Sequence, residues 1–228
     1  MKEFVSVVWA VVWKDLRIEG RTRQIISIMV MFSVATVIMF NFALGFSLDA
    51  ARGVATGLLW AIVLLAATLG LNRSLSLDRE NRVFDALLIA PIPRTAIYLG
   101  KVISVSLFTF LLDAILIILF TVFFNQPFYL LPVIFILFLG TIGYIAAGVI
   151  ITSMTIQART REVLLPVLLL PLSLPLVLPA ALATAIFVSA EAFGGATWAE
   201  VQGPVSLVLA YDLVMLTAGV VTYRFVVE

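Results

Sequence analysis

The sequence contains no cysteine and no histidine, and charged residues make up only 12% of it. Without these two residue types the chain has no disulfide, no thiolate nucleophile, no axial histidine for haem and none of the usual zinc sites. Soluble domains are about one-quarter charged. A chain of 228 residues with 63% hydrophobic residues has too much apolar surface for a soluble fold to bury, which predicts that lipid is its solvent.

Motifs for nucleotide binding and catalysis are also missing. Gly100–Lys101 looks like the end of a phosphate-binding loop, but Thr95 replaces its first glycine and Val102 its hydroxyl residue. Without histidine there is no Ser-His triad, so we expect no enzyme activity and no metal site. The 14 basic and 13 acidic residues are not gathered on one face, which predicts no nucleic-acid partner.

Apolar runs of about 20 residues, the length of a membrane-spanning helix, occur six times. They cover Ile25–Leu44, Gly53–Leu71, Val102–Phe124, Leu130–Ile151, Val163–Val188 and Pro204–Val227. Of the 14 lysines and arginines, 13 fall on alternate connections and share a side with both termini. The six runs predict an all-α inner-membrane protein with one domain over residues 1–228. The charge asymmetry predicts that both termini lie in the cytoplasm.

Residues 1–23 are too charged to form a span, yet they have helical periodicity. Polar and small residues recur at steps of three and four: Glu3, Ser6, Ala10, Lys14, Arg17 and Arg21. Trp9 and Trp13 fall on the remaining surface, which predicts a helix in the cytoplasmic interface with both rings at headgroup level. Such a helix either anchors the chain or transmits force from a cytoplasmic partner.

Residues 72–95, between the second and third runs, are too organised for a simple turn. We expect Ser74 or Ser76 to cap a short cytoplasmic helix with Asp78 in its first turn, and Pro91 to end it. One side of this helix is apolar and the other charged, so it packs into a groove, either of its own bundle or of a second protein. The residues singled out are Leu75, Arg79, Glu80, Val83, Phe84, Leu87 and Leu88.

The fifth run contains four prolines. They are Pro166, Pro171, Pro175 and Pro179. Because each removes a backbone donor, we expect kinks or two half-helices, placed inside the bundle where neighbours satisfy the freed carbonyls. The acidic connection 189–203 follows on the outer side, and its length suits two short re-entrant or interfacial helices around Gly194–Gly195.

Two acids, Asp113 and Asp212, lie near the middle of the third and sixth runs. An ionised carboxylate there costs about 2.5–3.5 kcal/mol on insertion scales, so we expect neutral carboxyls. In a structural role they bond to Thr109, Tyr144 or Tyr211; the alternative is substrate or proton handling. An intramembrane aspartyl protease is disfavoured, since Asp113 lacks the glycine-rich context of such enzymes.

The long cytoplasmic segment carries a specific resemblance. Leu71–Lys101, LNRSLSLDRENRVFDALLIAPIPRTAIYLGK, resembles the CcmB family, the haem-exporter protein B of cytochrome c maturation. Trp60 before it and LLPVLLLPLSLPLVLP in the fifth run agree, and VVWKDLRIEGRTRQ looks like the N-terminal helix of the family. The resemblance covers nearly the whole chain.

The resemblance implies an exporter-type ABC permease that pairs with a second copy of itself and with two CcmA-like ATPase subunits. The cytoplasmic helix is then the coupling helix, and CcmC-like and CcmD-like membrane proteins are further partners. ATP is bound by the partner only; haem is a transported or handled ligand and no cofactor is held tightly. The implied function is ATP-driven haem export, or release of the haem-loaded chaperone CcmE. The alternatives are an exporter of another hydrophobic substrate and a non-transporting scaffold.

Overall fold

The computed structural model describes residues 2–44, 48–80, 93–155, 161–190 and 198–226. Within these ranges the regular structure is entirely α-helical. The helices are α1 (Lys2–Thr22), α2 (Gln24–Ala43), α3 (Leu48–Glu80), α4 (Arg94–Phe124), α5 (Leu131–Thr155), α6 (Arg161–Ala190) and α7 (Trp198–Val226). Helices α2 to α7 each contain a stretch long and apolar enough to cross a membrane, which confirms the predicted all-α fold and its six spans.

Helix α5 is the centre of the bundle, since it packs against α3, α4, α6 and α7. Its apolar stretch is 67% buried, whereas those of α2, α6 and α7 are each 28% buried. Two glycines permit this central position. A side chain at Gly140 would clash with the Trp60 ring of α3, and one at Gly143 with the Asp212 carboxyl of α7.

The second span continues beyond the point where a separate cytoplasmic helix was expected to begin. Helix α3 runs without a break through Ser74 and Ser76 to Glu80, so the predicted cap at either serine is wrong. The Ser76 hydroxyl instead donates to the Asn72 carbonyl, 3.0 Å away and one turn earlier in the same helix. The physical reason is that no glycine or proline lies between Leu71 and Glu80 to stop the helix.

The proline-rich span is also continuous. Helix α6 contains Pro166, Pro171, Pro175 and Pro179 without dividing into the predicted half-helices. The last three are four residues apart and share a face, so the opposite side of the helix keeps its hydrogen-bond ladder.

The expected internal position of α6 is wrong as well. Pro171 and Pro175 are exposed, while Leu169, Leu176 and Ala180 on the other side of the helix are fully buried. The helix therefore packs through its leucine and alanine side and turns its prolines away from the bundle.

The last span begins earlier than expected. Helix α7 starts at Trp198, so 198–203 forms its first turns and no separate short helix follows the glycine pair. Nothing between Trp198 and Gly203 breaks a helix, and Glu200 in the first turn favours one through the helix dipole. Gly194–Gly195 lies outside the described residues, whereas Ser189 belongs to α6.

Candidate functional site

The residues predicted to contact a cytoplasmic partner divide into three groups. Leu75 is 6% exposed and lines a small cavity with Val11 of α1, so it packs within its own chain. Arg79 and Glu80 form the end of α3. The remaining positions, Val83, Phe84, Leu87 and Leu88, lie outside the described residues. The structure therefore carries a continuous helix from the membrane to the start of the predicted contact segment.

Two lysines and two aspartates meet where α3 ends and α4 begins. Lys14 Nζ lies 2.7 Å from Asp78 Oδ1 and 2.9 Å from Asp15 Oδ1. Lys101 Nζ lies 3.2 Å from Asp15 Oδ2 and also pairs with Asp78. The Ser104 hydroxyl donates to Asp15 Oδ2 at 2.6 Å. We call these five residues the charge cluster; it joins α1, α3 and α4.

Local helix geometry explains how each helix contributes to the charge cluster. Lys101 and Ser104 are three residues apart, so they share one face of α4. Lys14 and Asp15 are neighbours on α1, about 100° apart around the helix. Accordingly the Asp15 side chain, 5% exposed, points into the bundle, whereas that of Lys14, 28% exposed, reaches in from the edge.

The opposite charges of the cluster keep each other ionised although they are buried. Burial by itself would lower the pKa of Lys14, but the carboxylates of Asp78 and Asp15 outweigh it and raise that pKa above 10.5. Burial by itself would raise the pKa of Asp15, but Lys101, Lys14 and the Ser104 hydroxyl together lower it below 3.8. Both groups are therefore charged at neutral pH.

A second carboxylate fixes α1 to the first span. Glu19 is 2% exposed and accepts hydrogen bonds from the backbone N–H groups of Ile25, at 3.1 Å, and Ile26, at 2.8 Å. It caps α2 from the preceding helix, and the single residue between the two helices, Arg23, has φ +52°. The angle between α1 and α2 is thereby held by a buried charge-assisted contact.

The outer surface of α1 carries the two predicted tryptophans. Trp9 is 63% exposed and Trp13 53% exposed, and both point away from the bundle. Their position at headgroup level stays a prediction.

The two acids within the spans are buried against α5. Asp113 is 5% exposed and accepts a hydrogen bond from the Thr141 hydroxyl at 2.8 Å, while its other oxygen has no partner among the described residues. Asp212 is 6% exposed and rests on Gly143, and in the described part of the chain neither of its oxygens has a partner. Positions 141 and 143 are about 200° apart around a helix, so the two carboxyls approach α5 from opposite sides. They form no shared-proton pair of the protease kind.

The hydrogen-bond partners predicted for these acids are wrong. The Thr109 hydroxyl donates to the Val105 carbonyl at 3.0 Å, and Tyr144 pairs with Thr68 at 2.6 Å. Tyr211 donates to the carbonyl of Leu172 at 3.1 Å. In each case the hydroxyl finds another partner on its own or a neighbouring helix.

Comparison with known proteins identifies the family. The sequence matches the model for the family described as CcmB protein over residues 6–225. The chain belongs to the CcmB family. The family resemblance found at Leu71–Lys101 is thereby confirmed, and CcmB-family chains are membrane components of the haem-export ABC system of cytochrome c maturation. A search of curated proteins finds no match.

Two cavities of the CcmB-family chain differ in size and character. The one beside the charge cluster holds about 20 Å³, which suits a single water molecule. A wider groove of about 610 Å³ lies between α6 and α7 and is open at the protein surface. It is mainly apolar, with Pro179, Pro204 and Ser206 on its wall. Neither provides a histidine, cysteine or methionine ligand for haem iron.

Sequence reasoning missed the charge cluster as a unit. Lys14 was assigned to the polar face of α1, and Lys101 was considered as a positive charge and as the end of a rejected phosphate-binding loop. The signal was weak because Lys14 and Asp78 are 64 positions apart, and Asp15 and Lys101 86. A buried polar side of α1 could have been inferred from Asp15 and Glu19, which are four residues apart and so share a face.

Proposed function

We propose that this CcmB-family chain is the permease subunit of an ABC transporter, in which ATP hydrolysis by a partner subunit drives haem export or release of a haem-loaded chaperone. The observation that carries the proposal is the continuity of α3 from the membrane to Glu80. A stiff helix of 33 residues joins the apolar bundle to the segment that contains Phe84 and Leu87. It provides a direct mechanical path.

The chain has no phosphate-binding loop, so the energy of ATP has to arrive through a protein contact. The proposed assembly contains a CcmA-like ATPase, a second copy of the chain, and CcmC-like and CcmD-like membrane proteins. Because the chain has no cysteine or histidine, we assign it a mechanical role toward haem and no tight haem site.

The orientation is testable through the loops. The charge asymmetry supports a cytoplasmic position for both termini and for residues 79–85. Reporter fusions after Glu228 and within residues 79–85 are expected to report cytoplasm, and fusions at Gln126 and Gly194 the outer side. An outer-side signal after Glu228 contradicts the proposed six-span orientation.

The contact with the ATPase is tested by Phe84→Ala combined with Leu87→Ala. These residues are three positions apart, and truncating a buried anchor typically costs about 2 kcal/mol, or roughly 30-fold in affinity. We expect the variant to insert normally but to co-purify with much less ATPase. Charge reversal at Arg79 or Glu80 should have a smaller, salt-dependent effect.

The matched control is Leu131→Ala with Phe135→Ala. It removes the same two side-chain types at exposed positions, 79% and 46% exposed, near the other end of the bundle. It is expected to leave ATPase binding unchanged. If the Phe84 and Leu87 variant keeps its ATPase and still supports cytochrome c maturation, the segment packs on its own bundle and the coupling assignment is wrong.

The two alternative functions give different results in one assay. In the purified complex, ATP-dependent release of holo-CcmE from the CcmC-like subunit, without haem movement, supports the chaperone-release form of the proposal. ATP-dependent movement of another hydrophobic compound indicates a different exporter. An assembly that needs the chain but shows no ATP-dependent step indicates a scaffold.

A further inference from the structure

Asp78 has a special position in the charge cluster. It lies two residues before the end of α3 and pairs with lysines from two other helices, Lys14 of α1 and Lys101 of α4. Its side chain is 7% exposed. Asp78 is thus the charged group of the cluster that is nearest in sequence to Phe84 and Leu87 of the proposed contact segment.

The link from α3 to α1 depends on side chains. Among the described residues no Cα of α1 lies within 8 Å of a Cα of α3. By contrast α1 packs closely on α4, where a Cβ added at Gly100 would lie 2.7 Å from the Val11 Cβ. The Lys14–Asp78 ion pair is therefore the direct polar bridge between α3 and a helix that it does not approach through the backbone, and Lys101 adds an indirect one by pairing with both Asp78 and Asp15.

Helix α1 is in turn fixed to the first span. The Glu19 carboxylate caps α2, and only Arg23 separates the two helices. A displacement of α1 is thus passed to α2 without a flexible connection. The contacts form a continuous path from the end of α3, through Asp78 and Lys14, along α1 and through Glu19 to the first span.

We propose that Asp78 is a positioning residue that transmits movement of the cytoplasmic contact segment to α1, and through α1 to the first membrane span. This inference rests on the proposed function, since the movement originates in the ATPase partner. In this role Asp78 touches neither haem nor nucleotide. It makes α1 follow the end of α3 when the partner changes state.

The absence of cysteine allows a direct test by site-specific labelling of the complex with its ATPase. Spin labels are attached at Arg17→Cys, exposed on α1, and at Val122→Cys, 72% exposed near the far end of α4. The distance between them is measured with and without a non-hydrolysable ATP analogue. We expect a nucleotide-dependent change in the parent chain, its loss in Asp78→Asn and its recovery in Asp78→Glu.

Ser104→Ala is the control, because it removes a hydrogen bond of the cluster but leaves the bridge between α1 and α3 intact. It is expected to keep the distance change. If Asp78→Asn does not accumulate, Lys14→Gln breaks the direct bridge from the more exposed side and leaves α3 joined to α1 only through Lys101, so the distance change is expected to fall markedly. A distance change as large as that of the parent in whichever bridge variant accumulates overturns the inference.

Three further outcomes separate this inference from the proposed function. If the parent binds its ATPase but shows no distance change, the relay is wrong while the permease assignment remains. Asp78→Asn should also retain its ATPase and ATP hydrolysis while cytochrome c maturation falls. If it instead loses the ATPase, Asp78 organises the docking segment itself and the relay is refuted. A parent chain that binds no ATPase refutes both.

Discussion

The molecule buries acidic groups in two ways that contrast sharply. At the end of α3, Asp15 and Asp78 are each paired with both Lys14 and Lys101. Within the spans Asp113 and Asp212 face no lysine or arginine of the described ranges, and three of their four oxygens have no hydrogen-bond partner there. The first arrangement joins three helices, whereas the second adds little to helix association.

The difference follows from the solvent at each depth. Near the membrane edge a lysine can extend its ammonium group to an aspartate while its stem stays on apolar surface, so opposite charges can be assembled. In the hydrocarbon core each added charge is expensive, and a lone carboxyl is tolerated best in its neutral form. We therefore expect the stability of the protein to depend strongly on the charges of the charge cluster and weakly on those of the two acids within the spans.

The largest effect is expected for Lys101→Met. This change leaves two buried aspartates with only Lys14 between them, and breaking a buried ion pair costs about 3–5 kcal/mol. The expected result is a marked fall in the temperature at which the purified protein loses its folded, monodisperse state. Adding Asp15→Asn rebalances the charge and should recover part of the loss. A single variant as stable as the parent contradicts the structural importance of the cluster.

A smaller effect is expected for Asp113→Asn and Asp212→Asn. The amide oxygen at position 113 still accepts from Thr141, so we expect a loss within about 1 kcal/mol and normal membrane accumulation. As a matched comparison, Asp113→Leu leaves the Thr141 hydroxyl without that acceptor, at a cost of about 1–3 kcal/mol. If both asparagine variants fail to accumulate, the acids are ionised and paired, and the contrast drawn above is wrong.

The smallest effect is expected from pH. Because the pKa of Asp15 is lowered in the folded protein, the ionised side chain stabilises the fold above pH 3.8. This stabilisation is lost as the pH falls through the still lower pKa of the folded state. Because the pKa of Lys14 is raised in the folded protein, its ammonium group stabilises the fold below pH 10.5. This stabilisation is lost as the pH rises through the higher pKa of the folded state. Docking of α1 should therefore be constant between about pH 5 and 9. Hydrogen exchange of α1 amides, corrected for intrinsic rate, measures it; a transition near neutrality contradicts the assignment.

The sequence alone was sufficient for the spans because hydrophobic length is a local property. The helical character of residues 2–22 was likewise readable from the spacing of polar residues. The prediction was less successful where a helix ends. Serines at 74 and 76 resemble caps, yet a serine inside a helix can bond back to its own ladder, as Ser76 does.

The site could not be assembled from sequence for a different reason. Asp15 meets Ser104 across 89 positions, and no local pattern marks that pairing. The outward position of the proline side of α6 was also hidden, since composition does not say which face of an apolar helix meets its neighbours. Only the tertiary arrangement decides both points.

The long sequence separation within the charge cluster also has a consequence for biogenesis. Helix α1 is synthesised before α4, and Lys101 follows Asp15 by 86 residues, which takes roughly 4–17 s at about 5–20 residues per second. During that interval the carboxylate of Asp15 has no lysine from α4 to meet. Helix α1 can thus reach its final position only after α4 has been made, and its exposed Trp9 and Trp13 are predicted to hold it at the bilayer surface until then.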